Sequence, residues 1–231
     1  MATLAIIPAR GGSKRLPRKN VRPFRGRPVL AWSIDAARSA GCFDEIMVST
    51  DDDEIATVAR AHGAVVPFAR SARTSDDHAI LLDVIAEVVD AYAAEGRVFD
   101  EVCCILATAP FLRPDDLRTG LERLRAGALD SVFPVVRFSF PIWRALAVED
   151  GRARMFWPEH RSSRSQDLPP AFHDAGQFYW LNPVACRAKG GLFTDRSGVL
   201  ELPPERVQDI DTEDDWRLAE LKHRLLEEHD T

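Results

Sequence analysis

The sequence predicts an α/β fold: a doubly wound, mostly parallel sheet with an inserted antiparallel arm. Three observations lead there. Apolar runs of strand length alternate with amphipathic stretches of helix length up to about residue 136. The run at 102–107 is apolar on both faces, as a central parallel strand must be. Beyond residue 137 aromatic residues crowd around a turn signal, a texture that the preceding alternation lacks.

The elements follow in order. Leu4-Ala5-Ile6-Ile7 reads as a buried strand. It runs into a loop, 8–20, whose paired glycines, flanking prolines and dense basic charge exclude strand and ordinary helix alike. Pro28 suits the first turn of a helix reaching about residue 39, and Gly41 suits its stop. Residues 45–50 form strand two. Asp51, Asp52 or Asp53 caps the next helix, which carries Ile55, Val58, Ala59 and His62 and stops at Gly63. Residues 64–68 are expected as a third strand, placed at an edge by Pro67. Ser75-Asp76-Asp77 precedes a helix over about 79–94, with Ile80, Leu81, Val84, Ile85, Val88 and Tyr92 as its apolar stripe. After the strand at 102–107 comes a helix over about 114–125, cored by Leu117, Leu121 and Leu124, and then a strand at 130–136.

Residues 1–231 read as one domain, with 138–175 as an inserted antiparallel ribbon. Phe138, Phe140, Ile142, Trp143, Phe156 and Trp157 crowd it, and Glu149-Asp150-Gly151-Arg152 reads as its hairpin turn. Exposed aromatics on a protruding arm need a partner. A dimer contact is the simplest one, and a folded-back arm would also hide them. Residues 178–181 return to strand, 207–210 look strand-like, and a helix closes the chain over about 213–228.

Composition limits the function. The 231 residues are 45% hydrophobic and 29% charged, which is ordinary for a globular domain. No run approaches a membrane span, and the N-terminus lacks a signal-peptide pattern, so a cytoplasmic protein without membrane contact is expected. A net charge of −6 argues against general nucleic-acid binding. Cys42, Cys103, Cys104 and Cys186 have no C-x-x-C spacing and read as buried or half-buried thiols. In a strand, Cys103 and Cys104 point to opposite sides.

Two stretches carry the chemistry. Arg10, Lys14, Arg15, Arg18 and Lys19 could neutralise a triphosphate, while the backbone amides around Gly11 and Gly12 could form an anion nest. A loop of this kind at the end of a central strand is where α/β sheets bind ligands. It is neither a Walker loop nor G-x-G-x-x-G. At the other end of the chain, Asp209 and Asp211 lie on one face if 207–211 is extended, with Ile210 pointing into the core. Two carboxylates projecting together are relieved by a divalent cation, which also ties down phosphate oxygens. Thr212 and Asp215 read as a shortened capping box for the last helix. Around the arm, Arg161, Arg164, Gln166, His173, Asp174 and Gln177 are polar candidates. Arginine suits a planar carboxylate, whereas a lone histidine is more often structural.

The three stretches 6–20, 46–52 and 209–215 together resemble the acylneuraminate cytidylyltransferases, which activate 2-keto-3-deoxy sugar acids. The resemblance spans essentially the whole chain. The segments 102–111, 140–146, 164–168 and 172–180 are most similar to the branch of that family acting on pseudaminic acid. Neuraminate-type members usually read Leu-Gln-Pro-Thr-Ser-Pro where this chain has Ile105-Leu106-Ala107-Thr108-Ala109-Pro110. Leu106 thus replaces a glutamine that the family uses near the sugar acid, and His173 stands where neuraminate enzymes tend to have arginine.

The resemblance implies a Rossmann-like nucleotidyltransferase. CTP and a nonulosonic acid would give the CMP-sugar and pyrophosphate, by in-line attack of the sugar C2 hydroxyl on the α-phosphorus. It assigns Arg10, Ser13 and Lys19 to the nucleotide, together with Gly11, Gly12, Lys14, Arg15 and Asn20 of the same loop. It assigns Asp209 and Asp211 to Mg²⁺. Leu106, Thr108, Arg164, Gln166, His173 and Gln177 fall to the substrate, and Arg10, Lys19 and Asp211 to catalysis. It also implies a homodimer whose arm closes over the partner's site. Two proton routes stay open: a hydroxyl acidified by the metal, or a carboxylate acceptor such as Asp211. Three rivals stay open too. One is the same reaction on legionaminic acid, N-acetylneuraminic acid or keto-deoxyoctonate. The others are transfer to a sugar 1-phosphate and a non-catalytic nucleotide-binding or scaffold protein.

Overall fold

The computed structural model describes residues 1–76 and 78–229. The expectation that Asp77 helps to cap the long helix lies outside them. In chain order the main elements are β1 (Thr3–Pro8), the short hairpin β2 (Pro23–Phe24) and β3 (Arg27–Pro28), α1 (Val29–Ala40), β4 (Glu45–Ser49), α2 (Asp53–Ala61), the single turn α3 (Ala72–Ser75), α4 (Leu81–Ala94), β5 (Glu101–Ile105), α5 (Pro114–Ala126) and β6 (Ser131–Arg137). The second half adds β7 (Leu146–Glu149), β8 (Arg152–Met155), β9 (Phe172–Asp174), β10 (Phe178–Leu181), α6 (Pro183–Lys189), β11 (Ser197–Glu201) and α7 (Glu213–His229).

The main sheet runs β11-β6-β10-β5-β1-β4, with β9 added on β6. β1 pairs in parallel with β4 and β5, and β11 with β6, while β10 and β9 run against their neighbours. The chain leaves β1 through α1 toward β4 on one side, and leaves β5 through α5 toward the other. The crevice between the C-terminal ends of β1 and β5 is therefore the topological switch point, where such sheets bind ligands.

Alternation along the strands explains why both faces are covered. Ala5, Ile7, Val48, Cys103 and Ile105 pack with Leu30 and Ile34 of α1 and Leu117, Leu121 and Leu124 of α5. Leu4, Ile6, Met47, Val102 and Cys104 pack on the opposite face with Ile85, Val88 and Tyr92 of α4. Cys103 and Cys104 thus face opposite sides, as their adjacency in a strand requires. Each large aliphatic side chain so buried contributes about 1.5–3 kcal/mol. Gly120 of α5 is held to glycine by close approach, since a Cβ there would sit 2.8 Å from Trp180 Cδ1.

Three expectations need correction. Residues 64–68 give only a single parallel bridge, Met47 to Val65, rather than a strand; Pro67 lacks the N–H that would extend the ladder. Residues 207–210 form no strand: their carbonyls bond to side chains, and the edge strand is β11 instead. The insert proper spans 138–171, because Phe172–Asp174 already pairs back onto β6. Within it β7 and β8 form the expected ribbon, turned by Asp150 at φ 50° and Gly151 at φ 75°.

Candidate active site

A cleft of about 540 Å³ opens at the C-terminal ends of β1 and β5. Arg10, Ser13, Lys14, Arg15, Lys19 and Asn20 line one wall, Leu106 and Thr108 follow β5, and Asp209 and Asp211 close the far side. Residues nearly two hundred positions apart meet here because apolar neighbours carry them. Leu16 and Ile210 are both buried in one cluster with Phe24, Val29, Phe111 and Trp216. Burying Leu16 brings Arg15 and Lys19 alongside; burying Ile210 leaves Asp209 and Asp211 pointing out.

The contacts are specific. Lys19 Nζ donates to Ile210 O at 2.6 Å and lies 3.4 Å from Asp211 Oδ1. Arg15 Nη2 is 2.8 Å from Asp211 Oδ2, so both oxygens of Asp211 face cations. Asn20 is buried and donates from Nδ2 to Arg10 O at 2.9 Å, which fixes the loop's course. Arg10 donates to Asp76 O at 2.9 Å. Asp209 is exposed at its surface, yet partial desolvation and then the charge of Asp211 push its carboxyl above the usual range, with Lys19 opposing. The capping box at the start of α7 forms as expected: Thr212 N donates to Asp215 Oδ2 at 2.8 Å, and Asp215 N to Thr212 Oγ1 at 3.2 Å.

The glycines behave differently from the expectation of an open anion nest. Gly11 N donates to Asp51 Oδ1 at 2.9 Å, so a carboxylate already occupies that amide. A Cβ on Gly11 would sit 2.7 Å from Asp52 Oδ2, which is why the position is glycine, whereas a Cβ on Gly12 would meet nothing within 4 Å. Neither glycine lines the cleft. Arg18 turns away from it to pair with Asp52 and Glu54. Asp52 is also the N-cap of α2, accepting from Ile55 N at 3.0 Å.

The other predicted residues lie elsewhere. Gln166 lines a second cavity of about 400 Å³ at the base of the arm, with Arg137, Phe138 and Pro204. Arg164 pairs with Asp167 at 2.8 Å. His173 is exposed, with its ring 4.7 Å from that of Phe138. Gln177 is buried behind the cleft and donates from Nε2 to Arg206 O at 2.6 Å. Sequence reasoning missed Arg70, which lines the cleft. Its guanidinium donates to Thr74 O, its Nε is buried without a hydrogen-bond partner, and burial pulls its pKa below the usual value. The one signal for it was a cation just past the edge segment that ends beside β4.

Asp209 and Asp211 offer the oxygen donors that a hard divalent cation takes, with Arg15 and Lys19 against Asp211. Among the described residues no group of three or more His, Cys, Asp or Glu converges on a metal site. Magnesium commonly takes only one or two carboxylates and completes its shell with phosphate and water oxygens. No helix among the described residues is long and apolar enough to cross a membrane.

Comparison with known proteins identifies the family and the fold. Residues 4–140 match the family model described as Cytidylyltransferase. The chain is 40% identical over 229 residues to the pseudaminic acid cytidylyltransferase of Campylobacter jejuni, covering 99% of each protein. It is 32% identical over 239 residues to the CMP-N,N'-diacetyllegionaminic acid synthase of Legionella pneumophila, again covering 99% of each. The structure of a CMP:2-keto-3-deoxy-manno-octonic acid synthetase complexed with CTP superposes with a TM-score of 0.69 at 19% identity, over 99% of this chain and 100% of that one, which speaks for the fold. The chain belongs to the cytidylyltransferase family.

Proposed function

We propose that this cytidylyltransferase joins CMP from CTP to a nonulosonic acid, pseudaminic acid, and releases pyrophosphate. The observation that carries the reading is the single cleft in which the loop cations face the Asp209–Asp211 pair at the sheet's switch point. Phosphoryl transfer needs charge neutralisation and alignment more than covalent chemistry. Arg10, Lys14, Arg15 and Lys19 supply positive charge for the triphosphate. The C2 hydroxyl oxygen of the sugar acid attacks the α-phosphorus in line. The new C2–O–P bond forms as the bond from the α-phosphorus to the bridging oxygen breaks, and the hydroxyl proton passes to a carboxylate or to water. Asp209 and Asp211 are the residues that would hold a divalent cation, which would supply neutralisation of the charge developing on pyrophosphate.

The choice of pseudaminic acid is supported by the 40% identical relative and by Leu106, an apolar side chain on the cleft wall. Arg164 and Gln166 of the arm, and His173 of the strand that follows it, lie outside this chain's cleft, which fits an arm that serves a second copy. The arm's outer residues support the same reading: Phe140 is 81% exposed and Val148 70%. We therefore read 138–171 as a dimerisation and capping arm. Product analysis tests the reaction class. Incubation with CTP, Mg²⁺ and pseudaminic acid should yield a CMP-sugar and pyrophosphate. A nucleoside-diphosphate sugar formed only from a sugar 1-phosphate, or no Mg²⁺-dependent pyrophosphate at all, would overturn it.

A further inference from the structure

Residues 204–211 carry Asp209 and Asp211, two of the cleft's carboxylates, but only a single 3-10 turn, Pro204–Arg206, gives the segment internal order. Its place is set by side chains from other elements. Arg206 forms an ion pair with Asp116 in the first turn of α5, with both side chains only 12% exposed. Arg206 O accepts from Gln177 Nε2 at 2.6 Å. Val207 O accepts from Lys222 Nζ of α7 at 2.7 Å, and Ile210 O from Lys19 Nζ at 2.6 Å. Three carbonyls of the segment are thus held by three separate parts of the molecule, and the Arg206 side chain by a fourth. A segment without its own ladder must satisfy its backbone carbonyls through side chains or water, and here these side chains act together with the buried Ile210. A half-buried ion pair that loses one partner leaves the other charge uncompensated, so the segment would shift to reach solvent.

We infer that Asp116 and Gln177 are positioning residues for the Asp209–Asp211 pair, acting through Arg206. Neither lines the cleft. Asp116 fixes the guanidinium and Gln177 fixes the carbonyl of the same residue, three positions before Asp209. Gln177, which the family resemblance assigns to substrate, serves the acidic segment instead. The inference rests on the reading that Asp209 and Asp211 hold the divalent cation.

The test is the extent to which Mg²⁺ strengthens CTP binding, with no sugar acid present and so no turnover. Calorimetry gives the CTP dissociation constant with EDTA and with Mg²⁺, and their ratio is the coupling between the two ligands. In Gln177→Met, which keeps the volume and leaves the Arg206–Asp116 pair intact, metal-free CTP affinity should stay near that of the unaltered protein. The Mg²⁺ enhancement should fall about tenfold, the scale on which groups behind a metal's ligands act. Asp116→Asn should behave the same way, and Gln177→Met decides alone if that variant does not fold. Asp209→Asn should abolish the enhancement. If Asp209→Asn loses it while both positioning variants retain it, the inference is overturned and the metal reading stands. If Asp209→Asn retains it, the metal reading itself fails, and the inference with it. Equal loss of CTP affinity with and without Mg²⁺ in both positioning variants would mark a merely structural role and also overturn the inference.

Discussion

In the cleft, apolar residues disappear into the core and leave their charged neighbours fixed; in the arm, apolar residues face outward and leave their neighbours waiting. Leu16 and Ile210 are buried in one cluster, and the cations and carboxylates beside them answer one another within a single chain. Phe140, Val148 and Phe156 are exposed on the arm, whose two strands β7 and β8 pair with each other. Inside the arm Trp143 and Trp157 pack with ring centroids 5.6 Å apart and Phe156 lies 5.8 Å from Trp157, while Trp143 Nε1 donates to Pro169 O at 2.9 Å. The contrast separates two problems. The residues proposed for the nucleotide meet in one copy, and those proposed for the sugar acid are split between that copy and an exposed surface.

The largest effect should come from breaking the half that meets in one copy. Lys19→Met removes the ammonium that bridges Ile210 O and Asp211, and it should lower kcat by about 10²–10³-fold, the usual loss for a group that stabilises transition-state charge. Steady-state pyrophosphate release measures it, and a change in KM alone would show that Lys19 only binds. The next effect should come from the split half. Val148→Glu places a charge on the ribbon's outer face and should weaken dimerisation by tenfold or more, given about 1.5–3 kcal/mol for a buried aliphatic side chain. Sedimentation at several concentrations reads the association, with activity followed in parallel. A monomer with full activity would mean that the arm serves nothing in catalysis.

The smallest effect concerns how the two halves of the cleft are held together. His223 of α7 is buried against Phe24, Trp32 and Phe111, with Glu227 Oε1 3.4 Å from its Nδ1. Burial pulls its pKa below the usual histidine value, Glu227 works against that shift, and Arg25 adds to it. The unfolded chain therefore takes up the proton first as pH falls. The stability linked to this residue is fully present above the unfolded pKa of about 6.5, and is lost as pH drops from there toward the folded value. Melting temperatures between pH 7.5 and 5.5 should decline less steeply in His223→Phe than in the unaltered protein. Equal slopes would remove His223 from the account.

Much of this was legible in the sequence, for reasons that can be named. Strands 4–7, 45–50 and 178–181 carry enough apolar side chains to fix both existence and place, and Gly41, Asp52 and Thr212 mark helix ends through local chemistry alone. Arg10, Lys14, Arg15 and Lys19 meet the pair Asp209 and Asp211 in one cleft because Leu16 and Ile210 beside them are plainly core residues. What failed depended on distant partners. Residues 207–210 have the composition of a strand, but Lys222 and Lys19 take carbonyls that a ladder would use. β11 escaped notice because Ser197 and Gly198 dilute its apolar signal, and it is held at the edge by β6. The amide of Gly11 looked open until Asp51, forty residues on, was seen to fill it. Arg70 had no neighbouring pattern to announce it.

The most direct test of the proposed function is pyrophosphate release with CTP and Mg²⁺, comparing pseudaminic, legionaminic and N-acetylneuraminic acids side by side at matched concentrations. A clear kcat/KM preference for pseudaminic acid is expected, with Leu106 and His173 as the first positions to exchange in altering it. Turnover only with another of these acids would leave the cleft and its phosphate chemistry in place, but would contradict the assignment of the sugar.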